Sequence, residues 1–290
     1  MQIGVVFPQT EIGADVGAVR EYALRVEALG FEHVLAYDHV VGADPAVHQG
    51  WAGPYDVHTT FHEPFVLFGY LAAITQLELV TGIIILPQRQ TVLVAKQAAE
   101  VDLLTRGHLR FGIGIGWNAV EYEALGKDFT NRGVRSEDQV ALLRRLWTEQ
   151  TVTYESANER VTGAGLAPLP VQRPIPIWFG GASPRAFRRA GRLGDGWFPM
   201  LPPGPKLDEA KAVVEQAAVE AGRDPASIGM EGRVAWGDGG VRQLIDHVGR
   251  WRDAGATHLA VNTMNAGLGA VEGHLAVLES AATELGLARR

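Results

Sequence analysis

Short apolar runs alternate with longer stretches of helical period along the chain. Ile3 to Phe7 has the pattern of a buried strand. Asp15 to Leu29 then sets Val16, Val19, Ala23, Val26 and Leu29 at helical spacing, and Gly30 suits the position just past a helix end. His33 to Tyr37 is the second strand and Pro64 to Thr75 its helix. Leu77 to Leu86 is a continuous apolar strand, as in parallel sheets covered on both faces. Its helix carries Val94, Ala98, Val101 and Leu104, with Thr91 as a candidate cap and Gly107 just beyond the end. Leu109 to Ile115 precedes a helix over Val134 to Trp147, and Ile175 to Gly180 precedes one over Pro184 to Arg192. Gly196 to Pro199 pairs with Leu207 to Ala221, Ile228 to Trp236 with Val241 to Ala254, and Thr257 to Thr263 with Ala270 to Leu285.

Eight strand–helix units in 290 residues predict an α/β fold, the (β/α)8 TIM barrel, in a single domain over residues 1–290. That fold takes about 250 residues before insertions. A doubly wound open sheet produces the same alternation and is the rival architecture. Val40 to Glu63 and Thr151 to Pro174 stand outside the repeat and read as long loops. Loops this long in a compact domain usually form lids or substrate walls. The first follows the C-terminal end of a strand, the face on which barrel active sites are built.

Composition narrows the function class. With 47% hydrophobic and 20% charged residues, the chain has the balance of a soluble globular enzyme. A net charge of −7 argues against nucleic acid and acidic membranes as partners. The absence of cysteine removes disulfides, thiolate metal sites and cysteine nucleophiles together. The first residues lack the basic and apolar regions of a signal peptide, and no run approaches the roughly 20 apolar residues of a membrane span. The expectation is a soluble, cytoplasmic protein.

The strongest local signal is Phe179-Gly180-Gly181-Ala182-Ser183-Pro184-Arg185. Two glycines end a strand and admit a close ligand, Ser183 suits an N-cap, and Pro184 suits the first helical turn. Unpaired N–H groups and the positive end of the helix dipole then converge on one point, which suits a phosphate. Arg185, Arg188, Arg189 and Arg192 share a helix face that reads as solvated. Gly114, Gly116 and Ala119 satisfy a dinucleotide fingerprint, yet no strand ending in an acidic residue follows about 20 residues on. The better reading is a barrel strand whose small residues leave room for a flat ring, with Trp117, Asn118 and Glu121 on the loop beyond. Asp38 and His39 close the second strand, where a histidine beside a carboxylate serves as acid, base or orienting group. His58, His62 and Glu63 have metal-like spacing but no third-ligand motif and a poor helical context, so no metal is expected. Nucleophile-elbow and Walker motifs are absent.

These residues resemble the luciferase-like monooxygenase superfamily along nearly the whole chain, and its branch dependent on the deazaflavin F420 in particular. The resemblance rests on Leu29-Gly30-Phe31 through Asp38-His39, Thr81-Gly82-Ile83 through Pro87, Ala95 to Ala99, Gly112 to Trp117, Arg132 to Arg135, and Gly180 to Ser183 continuing to Leu193 through Trp197. It implies a TIM barrel with the cofactor at its C-terminal mouth and a non-prolyl cis peptide at Gly82–Ile83 behind the ring. It also implies a phosphate on Gly181, Ala182 and Ser183, with Asp38 and His39 near the reactive ring. Trp117 stands where the F420-dependent sugar-phosphate dehydrogenases carry an acidic residue, so the resemblance does not extend to their substrate. The activity implied is hydride transfer at ring C5 to or from a small organic substrate, with His39 moving the proton and Asp38 orienting it or the ring. An FMN-dependent monooxygenase and a non-catalytic flavin-binding protein are the alternatives. A homodimer is implied by the resemblance alone.

Overall fold

The computed structural model describes residues 1–13 and 15–288. The strands in chain order are β1 (Gln2–Val6), β2 (His33–Ala36), β3 (Glu78–Thr81), β4 (Ile84–Ile85), β5 (Leu109–Gly114), β6 (Val152–Glu155), β7 (Arg160–Ala164), β8 (Ile177–Gly181), β9 (Gly196–Pro199), β10 (Gly229–Ala235) and β11 (His258–Asn262). The helices are α1 (Gln9–Ile12), α2 (Val16–Ala28), α3 (Pro64–Ala72), α4 (Thr91–Leu104), α5 (Ala119–Ala124), α6 (Arg132–Thr148), α7 (Pro184–Leu193), α8 (Pro205–Glu220), α9 (Gly240–Asp253) and α10 (Val271–Leu285).

All strands except β6 and β7 pair in parallel in the order β3-β2-β1-β11-β10-β9-β8-β5-β4, and β3 pairs with β5 to close the circle. With β3 and β4 as two halves of one interrupted strand, this is a closed eight-stranded barrel. The doubly wound alternative is excluded. The interruption falls at Gly82–Ile83, a cis peptide bond where the resemblance places one.

Strand alternation sorts the side chains into two cores. Ile3, Val5, Val34, Leu79, Phe111, Ile113, Ile177, Phe179 and Val261 belong to the shell under the helices. Val6, Leu35, Val80, Trp178, Phe198 and Ala260 fill the barrel itself. Below them lies an ionic layer: buried Glu231 contacts His33 at 3.2 Å and forms a short ion pair with Arg110, which also reaches Glu78 at 2.9 Å. Glycines make room for these large groups: a Cβ at Gly196 would lie 2.3 Å from the Trp178 ring.

The structure departs from the sequence reading in several places. The segment Thr151 to Pro174 is not all loop, because β6 and β7 form an antiparallel hairpin within it. The short helices α1 and α5 were not expected, being too short to show a period. Thr91 is the first residue of α4 rather than its cap, and its hydroxyl accepts from Gln139 Nε2 at 3.0 Å. Arg189 is buried and bonds Glu137 at 3.1 Å, so the four arginines of α7 do not form one solvated face. No helix among the described residues is long and apolar enough to cross a membrane.

Candidate active site

The parallel strands deliver their C-terminal ends to one mouth. Just past β2, the buried Asp38 carboxylate accepts the Ile85 N–H at 3.1 Å and Arg89 Nη2 at 2.7 Å. Arg89 extends its other nitrogen to Glu63 at 2.9 Å, while the second Glu63 oxygen caps α3 by accepting the Val66 N–H at 2.8 Å. One guanidinium thus ties the end of the Val40 to Glu63 loop to the second strand. Burial pushes the Asp38 carboxyl above its ordinary range, against the pull of Arg89 and the Ile85 N–H.

His39 takes a different partner. Its Nδ1 lies 3.4 Å from buried Glu121, on α5. Glu121 also accepts the Val40 N–H at 2.5 Å and Gln88 Nε2 at 3.0 Å. Burial alone raises the Glu121 pKa, but the bonds from His39, Gln88 and Val40 outweigh it and hold the carboxyl below its ordinary range. An ionised acceptor facing Nδ1 favours the proton there and leaves Nε2 as the exchangeable nitrogen. The carboxylate paired with His39 is therefore Glu121, while adjacent Asp38 pairs with Arg89. Tyr55, Phe61 and Trp117 surround the imidazole edge-on, with centroids 5.3, 4.7 and 5.7 Å away.

The long loop stands against this group. The indole of Trp51 donates to the Tyr55 carbonyl at 3.0 Å and packs on Trp117 at 5.6 Å. A cavity of about 180 Å³ reaches His39 between Tyr55, Phe61 and Asn118. A larger concavity of about 420 Å³ is lined by Trp51 and Trp117 and does not reach His39.

The other half of the mouth is lined by glycine. A Cβ at Gly114 would lie 2.6 Å from Ile83 Cδ1, and one at Gly180 would lie 2.9 Å from Ile83 Cγ2. A Cβ at Gly82 would lie 2.2 Å from Leu35 Cδ2, and one at Gly116, where φ is +64°, would lie 2.7 Å from Ile85 Cγ2. Ile83 thus rests on a floor that only glycine leaves open. Beside it, β8 runs through Gly181 and exposed Ala182 to Ser183, whose Oγ accepts the Ala186 N–H at 3.3 Å as the cap of α7. Asn118 is buried and caps α5 through the Val120 and Glu121 N–H groups.

Arg89 and Gln88 escaped the sequence reading. Their only signal was a polar pair directly after an apolar strand. His62 places Nε2 3.1 Å from the Gly13 carbonyl, which accounts for one of the residues with metal-like spacing, and Glu63 is accounted for by Val66 and Arg89.

Comparison with known proteins places this geometry. The sequence model of the luciferase-like monooxygenase family matches residues 1–254. The chain belongs to the luciferase-like monooxygenase family. An uncharacterized Mycobacterium tuberculosis protein is 27% identical over 89% of this luciferase-like chain and 90% of its own length. An F420-dependent glucose-6-phosphate dehydrogenase of Intrasporangium calvum is 32% identical over 61% of this chain and 52% of its own. An FMNH(2)-dependent dimethylsulfone monooxygenase of Pseudomonas fluorescens is 31% identical over 76% of this chain and 56% of its own. Among solved structures, an F420-dependent secondary alcohol dehydrogenase superposes with a TM-score of 0.77 at 18% identity, over 97% of this chain and 98% of that one. That likeness supports the luciferase-like fold.

Proposed function

We propose that the chain is an F420-dependent oxidoreductase that moves a hydride between the deazaflavin ring and a small organic substrate at the barrel mouth. The observation that supports this reading is the glycine floor under Ile83: a side chain at Gly114 or Gly180 would displace Ile83, the residue on which a flat ring would rest. Gly82 and Ile83 would back the ring, with Gly116, Trp117 and Asn118 along one edge. Gly180, Gly181, Ala182 and Ser183 would hold a phosphate at the start of α7, where the Ser183 hydroxyl keeps its own proton to donate. When bound, the ring supplies a hydride acceptor or donor at C5.

The chain supplies the proton chemistry. Removing a hydride from a carbon that bears oxygen or nitrogen leaves a proton to be taken from that heteroatom, and His39 Nε2 is the base for it. Glu121 holds the imidazole in the required tautomer, and Asp38, tied to Arg89, shapes the wall beside it. This acid–base pair suits hydride transfer with F420, in which the substrate heteroatom must lose or gain a proton. The FMN reading is supported by the similarity to the dimethylsulfone monooxygenase over 76% of this chain.

The test is His39→Asn. Cofactor affinity should persist while turnover of a cognate substrate falls roughly 10²–10⁴-fold, the scale of losing a general acid or base. Wild-type turnover in the variant would reduce His39 to part of the wall.

A further inference from the structure

Among the described residues, the barrel holds an ion-paired layer and, nearer its mouth, an arginine without an ion pair. Glu231, His33, Arg110 and Glu78 close on one another in the layer below the mouth. Arg233 lies two residues beyond Glu231 on β10, hence one inward position nearer the mouth. Its half-buried guanidinium has no carboxylate within salt-bridge distance among the described residues. It donates through Nη1 to the Tyr37 hydroxyl at 3.0 Å and stands 5.6 Å from that ring's centroid. A guanidinium has five N–H donors, and one acceptor leaves the planar Nε–Nη2 edge unclaimed.

Its position gives that edge a purpose. In the closed strand order, β10 is four strands from the β3–β4 pair in either direction, so Arg233 faces Ile83 across the mouth. Tyr37 directly precedes Asp38 and His39. A ring resting on Ile83 would leave its free face toward Arg233 and Tyr37, with His39 to one side. The substrate would occupy the gap between them.

We infer that Arg233, held by Tyr37, is a substrate-recognition residue and that the substrate carries a carboxylate. The assignment rests on the proposed placement of the cofactor ring. An unclaimed planar pair of donors matches the two oxygens of a carboxylate, and the half-buried setting strengthens a charge-assisted pair.

The experiment is calorimetric titration of the full chain, with and without saturating FMN or F420, using benzoate and its uncharged analogue benzamide as probes. Wild type should bind benzoate at least roughly tenfold tighter than benzamide, the minimum for one charge-assisted bidentate contact. Arg233→Gln should abolish that preference. Arg233→Lys keeps the charge without the fork, so it should weaken benzoate binding and leave benzamide unchanged; it carries the test if the glutamine variant folds poorly. Equal or absent benzoate binding in wild type, or an intact preference in Arg233→Gln, would overturn the inference. Tighter binding of benzenesulfonate or phenylphosphonate would overturn the carboxylate. Titrating FMN and F420 into the same variants separates the two claims. Cofactor affinity lost in Arg233→Gln would move the residue to the cofactor and overturn the inference. A wild-type chain that prefers benzoate but binds neither cofactor would fail only the cofactor reading.

Discussion

The Nδ1 atom of His39 lies 3.4 Å from the Glu121 carboxylate, while Asp38, its neighbour in the chain, turns away to Arg89 at 2.7 Å. Adjacent residues thus take part in two different ion pairs. Glu121 is held ionised by its donors, whereas burial pushes Asp38 up. Only the first pair can set the state of the imidazole directly.

Glu121→Gln keeps the size of the side chain and removes its charge. Turnover should fall about tenfold to a hundredfold, because a neutral amide holds the Nδ1–H tautomer less firmly and does not stabilise the imidazolium by charge. Cofactor affinity should hold, and the pH profile of turnover should shift. An unchanged rate and profile would make Glu121 a clamp for Val40 and nothing more.

Arg89→Met would strand Asp38 in a buried site. Removing one partner of a buried pair costs about 3–5 kcal/mol, read as a lower urea midpoint. Adding Asp38→Asn should recover a large part of that loss, since the stranded charge is then gone. A double variant as unstable as the single one would show that Arg89 acts through Glu63, or through the Phe65 ring whose centroid lies 5.7 Å from its guanidinium carbon, instead.

The ionic layer of the barrel predicts acid sensitivity with a definite sign. Although burial opposes it, the charges of Arg110 and His33 hold Glu231 at about 2 against an ordinary 4.5. Its contribution, on the order of 3 kcal/mol, is complete above pH 4.5 and is lost as pH falls toward 2. Burial, helped by Arg110, depresses His258 from 6.5 to about 4, so stability also falls between those values as the unfolded chain takes up a proton first. Urea midpoints from pH 8 down to 3 should fall through both windows. Glu231→Gln should flatten the lower one; an equally steep fall in that variant would contradict the assignment.

Ser183→Ala should weaken the phosphate-bearing cofactor by about 1–2 kcal/mol through one lost charge-assisted bond. Loss of stability with unchanged cofactor affinity would leave Ser183 as the cap of α7 alone.

The barrel was legible because each strand–helix unit carries its own local period, and the α7 start was legible because Ser183-Pro184 is a local signal. What stayed hidden depends on distance along the chain. Glu121 and His39 are 82 positions apart, and Arg89 and Asp38 are 51 apart. Sequence adjacency therefore pointed to Asp38 as the partner of His39, and only the closed barrel reveals Glu121. Arg233 was hidden for the same reason: that no carboxylate among the described residues lies within ion-pair distance of it is a property of the assembled interior. The β6–β7 hairpin was missed because Pro168, Pro170 and Pro174 mark the segment as loop, although they lie beyond both strands.

The most direct test of the central claim is equilibrium titration of the purified chain with F420 and with FMN, followed by cofactor or tryptophan fluorescence. Trp117 lies against His39 and Trp51 packs on Trp117, so both serve as internal reporters. The account predicts saturable binding, tighter for F420, that is abolished in Gly114→Leu because the added side chain takes the space used by Ile83 and the ring. Saturable binding of neither cofactor, or undiminished binding in a folded Gly114→Leu variant, would contradict it.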